Sequence, residues 1–254
     1  MPVLVLAETS IEDYREYDVT KTKYTLEKSA KDLSYPWALS FIDKTNVVIT
    51  EKDGGLYKVD VLSGKKQKIK HNIPHISYDG SGQGGLLDVY FNPSDGYTYF
   101  TYSHKSSKLT RSKQLSKKSS TAIARGRLIE NEIKDFEILL IAKPEFLENR
   151  HYGSRIAIKG DDLFVSFGER GQGMISQDPS KHPGSIIRIK TDGAIPQDNP
   201  HFIEKKDWLP EIYAIGVRNP QGIAISPHDD EIYFSSHGPR GGDHIGEVEF
   251  GSNY

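Results

Sequence analysis

The sequence predicts an all-β fold, a β-propeller, on three observations. Glycine (23), proline (13) and tyrosine (14) are plentiful, while amphipathic helical patterns are scarce. Short β-branched and aromatic runs alternate with polar turn segments along most of the chain. One hairpin layout then recurs four times.

The first unit, "WALSFIDKTNVVITEKDGGLYKVD" (37–60), reads as an apolar strand, a polar turn, a second strand, a Gly-Gly turn and a third strand. "GLLDVYFNPSDGYTYFTYS" (85–103) repeats the first hairpin, turning at Asn92–Gly96. "SRIAIKGDDLFVSFGERG" (154–171) turns at Lys159–Asp162, and "QGIAISPHDDEIYFSSHG" (221–238) at Pro227–Asp230. The starts lie about 48, 69 and 67 residues apart, a scale that suits four-stranded blades with variable loops. One twisted sheet cannot bury both its faces, whereas blades stacked around an axis bury one another. A β-sandwich would also give short strands and turns, but not one internal layout repeated.

Residues 1–34 are expected to form an N-terminal segment with a first strand, and residues 35–254 a partial propeller. The apolar patch Pro2–Ala7 reads as that strand or a disordered end, or else as the tail of a signal peptide. A short helix is expected around Ser10–Tyr17. "KSSKLTRSKQLSKK" (105–118) carries six basic residues and no acid. It has no aromatics interleaved for base stacking, so it reads as an exposed hairpin loop of the second blade.

Charge and composition exclude several classes. The 33 basic and 35 acidic residues nearly cancel, which argues against nucleic acid or an anionic membrane as the main partner. With no cysteine there is neither a disulfide framework nor a thiolate site. No apolar run approaches the ~20 residues of a membrane span.

The segments just before each unit's first strand are Tyr35-Pro36, Gly82-Gln83-Gly84, His151-Tyr152-Gly153 and Arg218-Asn219-Pro220. In a propeller such corners converge on the mouth of the axis. Singly each is weak: His151 suits a structural hydrogen bond, Arg218 a tied turn, and Gln83 an ordinary loop. Their shared position suggests a base, a fixed cation and two amides able to remove a proton and steady an oxyanion. Glu169 in "FGERG" reads as the carboxylate that orients His151, or as an exposed turn residue. In "SSHGPRGGDHIGEVEFGSNY" (235–254), the Gly238-Pro239 backbone and Asp243 offer oxygens for a calcium ion.

Together these residues resemble the soluble pyrroloquinoline quinone (PQQ)-dependent glucose and aldose sugar dehydrogenases, the glucose/sorbosone dehydrogenase family, from about Tyr35 to Tyr254. The resemblance rests on "YPWALSF", "GQGGLLDVYFNP", "RHYGSRIAI" with "LFVSFGERG", "HPGSIIRIKTDGAIPQDNPHF", "EIYAIGVRNPQGIAISP" and "SSHGPRGGDHI…GSNY". It implies a six-bladed propeller, of which about four blades are present, with PQQ over the mouth. His151 would take the anomeric hydroxyl proton of an aldose, with Glu169 supporting it, while hydride passes to the quinone. Arg218 would face the reduced oxygen, and Asn219 and Gln83 would bind cofactor. Gly238, Pro239, Asp243 and Tyr254 would lie in a calcium-binding region. A periplasmic or secreted location, an external electron acceptor and a homodimer are further expectations.

Two departures qualify the resemblance. His244 stands where many members carry a calcium-binding glutamate, and the chain stops at "GSNY" where the family continues through two more blades. The chain is therefore expected to be a fragment or truncated product that alone binds PQQ weakly and turns over slowly or not at all. Two alternatives stay open. A non-catalytic binding propeller has no need of His151, Arg218 and Asn219 together, and a calcium-dependent propeller lactonase wants carboxylate and asparagine ligands aimed down the axis.

Overall fold

The computed structural model describes residues 26–106 and 117–254, together with Val3–Leu4. The expected helix at Ser10–Tyr17 lies outside the described residues. Strand β1 (Val3–Leu4) pairs in parallel with β2 (Leu26–Glu27). Four antiparallel meanders follow. The first comprises β3 (Pro36–Phe41), β4 (Asn46–Glu51), β5 (Leu56–Asp60) and β6 (Lys66–Lys68). The second comprises β7 (Leu86–Asn92), β8 (Tyr97–Lys105), β9 (Ser119–Ile129) and β10 (Glu132–Ile141). The third comprises β11 (Ile156–Lys159), β12 (Asp162–Ser166), β13 (Ser185–Lys190) and β14 (Ile212–Ile215), and the fourth has β15 (Pro220–Ile225), β16 (Ile232–Ser236) and β17 (His244–Glu247). These are four blades of a β-propeller, as the hairpin repeat predicts. The basic segment joins β8 to β9, whose ends pair at Lys105 and Ser119, and its residues 107–116 lie outside the described residues.

Strand periodicity explains why the second strands read as nearly continuous apolar runs. Successive side chains point to opposite faces, and here both faces are covered. In β4, Val48 joins Leu86, Val89 and Phe100 between the first two blades, while Val47 and Ile49 pack outward on Ala30 and Leu33. In β12, Leu163 and Val165 face Tyr99 and Ile123 of the second blade, and Phe164 faces Ile232 and Phe234 of the fourth. Each blade is thus the lid of its neighbours' cores.

In the first three blades a hydroxyl of the second strand fastens the blade to the next. Thr50 Oγ1 donates to the Leu87 carbonyl (2.6 Å), Thr101 Oγ1 to Ser154 (2.6 Å) and Ser166 Oγ to Pro220 (3.0 Å). Each also accepts an N–H from its own first strand or the segment leading into it, at Ala38, Asp88 and Arg155 respectively. In the fourth blade Ser235 pairs with Gly222 in the corresponding register, and it is exposed.

The four innermost strands β3, β7, β11 and β15 line an axial cavity of about 640 Å³. One guanidinium ties them together. Arg155 stacks on Trp37 of β3 at 4.1 Å, pairs with Asp88 of β7 at 3.1 Å, and donates from Nε to the Gln221 carbonyl of β15 at 2.8 Å. Asp88 also accepts the N–H groups of Val89 (3.0 Å) and Ile156 (2.8 Å). Burial pushes the Asp88 carboxyl upward, and Arg155 with the two N–H groups opposes that shift. Arg155→Met leaves a buried acid without its cation and should cost about 3–5 kcal/mol in urea unfolding. Adding Asp88→Asn should return part of that loss. Equal stability of the two variants would show that the ion pair is not what holds the axis.

Candidate active site

First strands run away from the mouth and second strands return to it, so the residues before one and after the other share the same end. That topology assembles Gln83 before β7, His151 before β11, Glu169 after β12, and Arg218 and Asn219 before β15. His151 is buried in a left-handed conformation (φ 52°). Its Nδ1 lies 2.7 Å from Glu169 Oε1, and its backbone N–H donates to Gln83 Oε1 at 2.7 Å. Glu169 is buried, not an exposed turn carboxylate, and its Oε2 accepts the Gln172 N–H at 2.7 Å. Its backbone N–H donates to the Arg218 carbonyl at 2.8 Å, and its Oε1 lies 3.8 Å from Arg218 Nε. Asn219 is buried, with Oδ1 accepting the Gly153 N–H at 3.2 Å. Arg218 is one-third exposed and reaches the carbonyls of His237 (3.2 Å) and Gly238 (3.1 Å) through Nη1.

Each of these side chains therefore has a divided role. Gln83 Oε1, His151 Nδ1, Asn219 Oδ1 and Arg218 Nη1 hold the protein scaffold. Gln83 Nε2, His151 Nε2, Asn219 Nδ2 and Arg218 Nη2 make no hydrogen bond among the described residues and are not fully buried. A carboxylate at Nδ1 places the imidazole proton there and leaves Nε2 as an acceptor. The mouth thus offers one base and three donors, a set able to take a proton from a hydroxyl and bind oxygens carrying negative charge.

Glycine permits the approach of the two loops that bear His151 and Glu169. A Cβ on Gly168 would lie 2.1 Å from the His151 carbonyl oxygen, and one on Gly153 (φ 63°) would lie 2.7 Å from the Gly168 nitrogen.

Gly238, Asp243 and Tyr254, expected near calcium, make hydrogen bonds within the protein. The Gly238 N–H donates to Asp243 Oδ1 at 2.7 Å, and the Gly238 carbonyl is one of the two that Arg218 holds. Pro239 and Asp243 are exposed. Tyr254 packs its ring on Phe234 (4.9 Å), accepts the Glu249 N–H at 2.8 Å and donates to the Glu247 carbonyl. His244 Nδ1 faces the Gly242 carbonyl at 3.1 Å. No group of three or more His, Asp or Glu side chains among the described residues is placed to hold a metal ion.

Two structural features near the site escape a reading by corners. Arg170, buried directly after Glu169, braces the His151 segment, and its signal was the charged pair enclosed by glycines in "GERG". The Trp37–Asp88–Arg155 group was signalled by an acid inside the apolar run "LLDVYF".

Residues 33–254 match the glucose/sorbosone dehydrogenase family. The aldose sugar dehydrogenase YliI of Escherichia coli is 33% identical over 229 residues, covering 87% of this chain and 58% of the relative. Quinoprotein glucose dehydrogenase B of Acinetobacter calcoaceticus is 26% identical, covering 88% of this chain and 50% of the relative. The apo crystal structure of the soluble aldose sugar dehydrogenase from E. coli superposes with a TM-score of 0.79 at 31% identity, over 90% of this chain and 64% of that one. The chain thus spans between half and three-fifths of the length of these two curated relatives.

The loop contact can be tested by paired glycine substitutions. Gly168→Ala drives a Cβ into backbone and should destabilise by about 1–3 kcal/mol. Gly160→Ala meets nothing within 4 Å and bears only a left-handed φ of 60°, so it should cost about 1 kcal/mol. Urea unfolding checks the order, and only Gly168→Ala should alter the His151 side-chain NMR signals.

Proposed function

The chain belongs to the glucose/sorbosone dehydrogenase family, and from that premise we propose that it takes part in PQQ-dependent oxidation of an aldose at its anomeric carbon to the lactone. The observation that carries the reading is the divided role of Gln83, His151, Arg218 and Asn219, each anchored through one polar atom and open through another. When bound, PQQ supplies a hydride acceptor. The open donors fit such a group, since its quinone and carboxylate oxygens match the N–H groups of Arg218, Asn219 and Gln83.

The chain's own part in the chemistry is proton removal and charge stabilisation. His151 Nε2 takes the proton from the anomeric hydroxyl as the C–H bond gives up its electron pair. Glu169, fixed by the Gln172 N–H, keeps the Nδ1 proton in place and steadies the imidazolium that forms. Arg218 stabilises negative charge on the oxygen facing it, and its tether to the His237 and Gly238 carbonyls keeps the guanidinium from swinging away. An external electron acceptor completes the cycle, and a periplasmic or secreted setting accords with the reading.

Calcium fits less well. Among the described residues the Gly238 carbonyl already serves Arg218, Asp243 Oδ1 serves a backbone N–H, and the Tyr254 hydroxyl lies with Glu247 and Glu249. A lactonase is disfavoured because Asp88, a carboxylate on the axis, is already paired with Arg155.

The test is a single-turnover titration. At saturating PQQ, adding an aldose should bleach the quinone absorbance. His151→Ala should still bind PQQ but bleach slower by about 10²–10⁴-fold. Bleaching at the wild-type rate in His151→Ala would overturn the assignment.

A further inference from the structure

We propose that Arg170 is a positioning residue that sets the orientation of the His151 imidazole by clamping the segment on either side of it. The inference deepens the dehydrogenase reading, in which His151 is the base, but its geometry stands on the fold alone.

Arg170 is 2% exposed and forms no ion pair among the described residues. Its guanidinium lies 3.7 Å over the Tyr152 ring. Nε donates to the Arg150 carbonyl (3.0 Å), Nη1 to the Ser119 carbonyl (2.9 Å), and Nη2 to the Glu148 carbonyl and, at 3.4 Å, to Ser119 Oγ. Its backbone N–H reaches the His151 carbonyl at 3.3 Å. Arg170 therefore contacts Glu148, Arg150, His151 and Tyr152 and fastens them to β9 of the second blade. Tyr152 extends the clamp, its hydroxyl lying 2.8 Å from Ser119 Oγ and donating to Asn149 Oδ1 at 3.2 Å.

The chemistry of these contacts favours positioning over simple stability. Burial pushes the guanidinium downward, the Tyr152, Glu148 and Glu169 side chains oppose that shift, and the groups that accept its N–H donors are three carbonyls and a hydroxyl rather than a carboxylate. What a rigid fork adds is direction, since several carbonyls must sit at fixed angles to meet it. The residue just before it, Glu169, holds the ring of the same histidine. One bend thus fixes His151 twice, through Glu169 to the imidazole and through Arg170 to the backbone. The left-handed conformations of His151 (φ 52°) and Arg170 (φ 57°) bring the two segments face to face.

The test compares Arg170→Lys and Arg170→Met with the full wild-type chain. Lysine keeps the charge and loses the fork, and it decides the question should the methionine variant fail to fold. The readout independent of activity is the downfield proton resonance of His151 Nδ1–H, identified by its loss in His151→Ala. In Arg170→Lys, with circular dichroism unchanged, the resonance should broaden or vanish. Bleaching by aldose should slow by about tenfold to a hundredfold, with PQQ affinity unchanged. A wild-type resonance together with a wild-type rate in Arg170→Lys would overturn the proposal. If the resonance is lost in Arg170→Lys while the wild-type chain itself never bleaches PQQ, the positioning role stands and the dehydrogenase reading falls.

Discussion

One guanidinium on the axis is the constraint on which the rest depends. Burial of apolar faces between blades is non-directional and by itself indifferent to small rotations, and each inter-blade hydroxyl bond joins only one pair of blades. Arg155 is not indifferent. It touches Trp37, Asp88 and Gln221 from its place ahead of β11, so all four innermost strands meet at a single planar group. The mouth residues stand a few positions from these contacts, with His151 four residues before Arg155 and Arg218 three before Gln221. Register at the axis therefore becomes geometry at the mouth.

The same economy appears in the site. Four polar side chains each divide their hydrogen-bonding capacity between scaffold and opening, which keeps them rigid without closing them. Glu169 links His151 and Arg218, since Oε1 stands 2.7 Å from the imidazole and 3.8 Å from the guanidinium nitrogen. A base and an anion-stabilising cation that share one buried carboxylate are coupled electrostatically as well as sterically.

Much of this was legible in the sequence because hairpins report themselves locally. The Asn92–Gly96 and Gly160-Asp161 turns, with alternating apolar residues on either side, announce two strands and the bend between them. Outer strands do not. Lys66–Lys68 is a strand with no apolar residue, visible only through its pairing with Tyr57–Val59. The corners were legible because their position in the repeat is fixed, which brought Gln83, His151 and Arg218-Asn219 to one end. Arg170 and the Arg155 group were signalled only by charges in "GERG" and "LLDVYF", and their partners were not legible because the carbonyls and rings they meet are distant in the sequence. Tyr254 shows the converse: proximity in a family motif did not foretell that its hydroxyl binds Glu247 and Glu249.

The most direct test of the central claim is amide hydrogen exchange in Arg155→Met against wild type. If Arg155 sets the axis, protection should fall together in β3, β7, β11 and β15 and in the 149–153 and 217–219 corners, while the outer strands β9 and β13 keep theirs. Loss of protection confined to residues next to position 155, with the other three innermost strands unchanged, would contradict it.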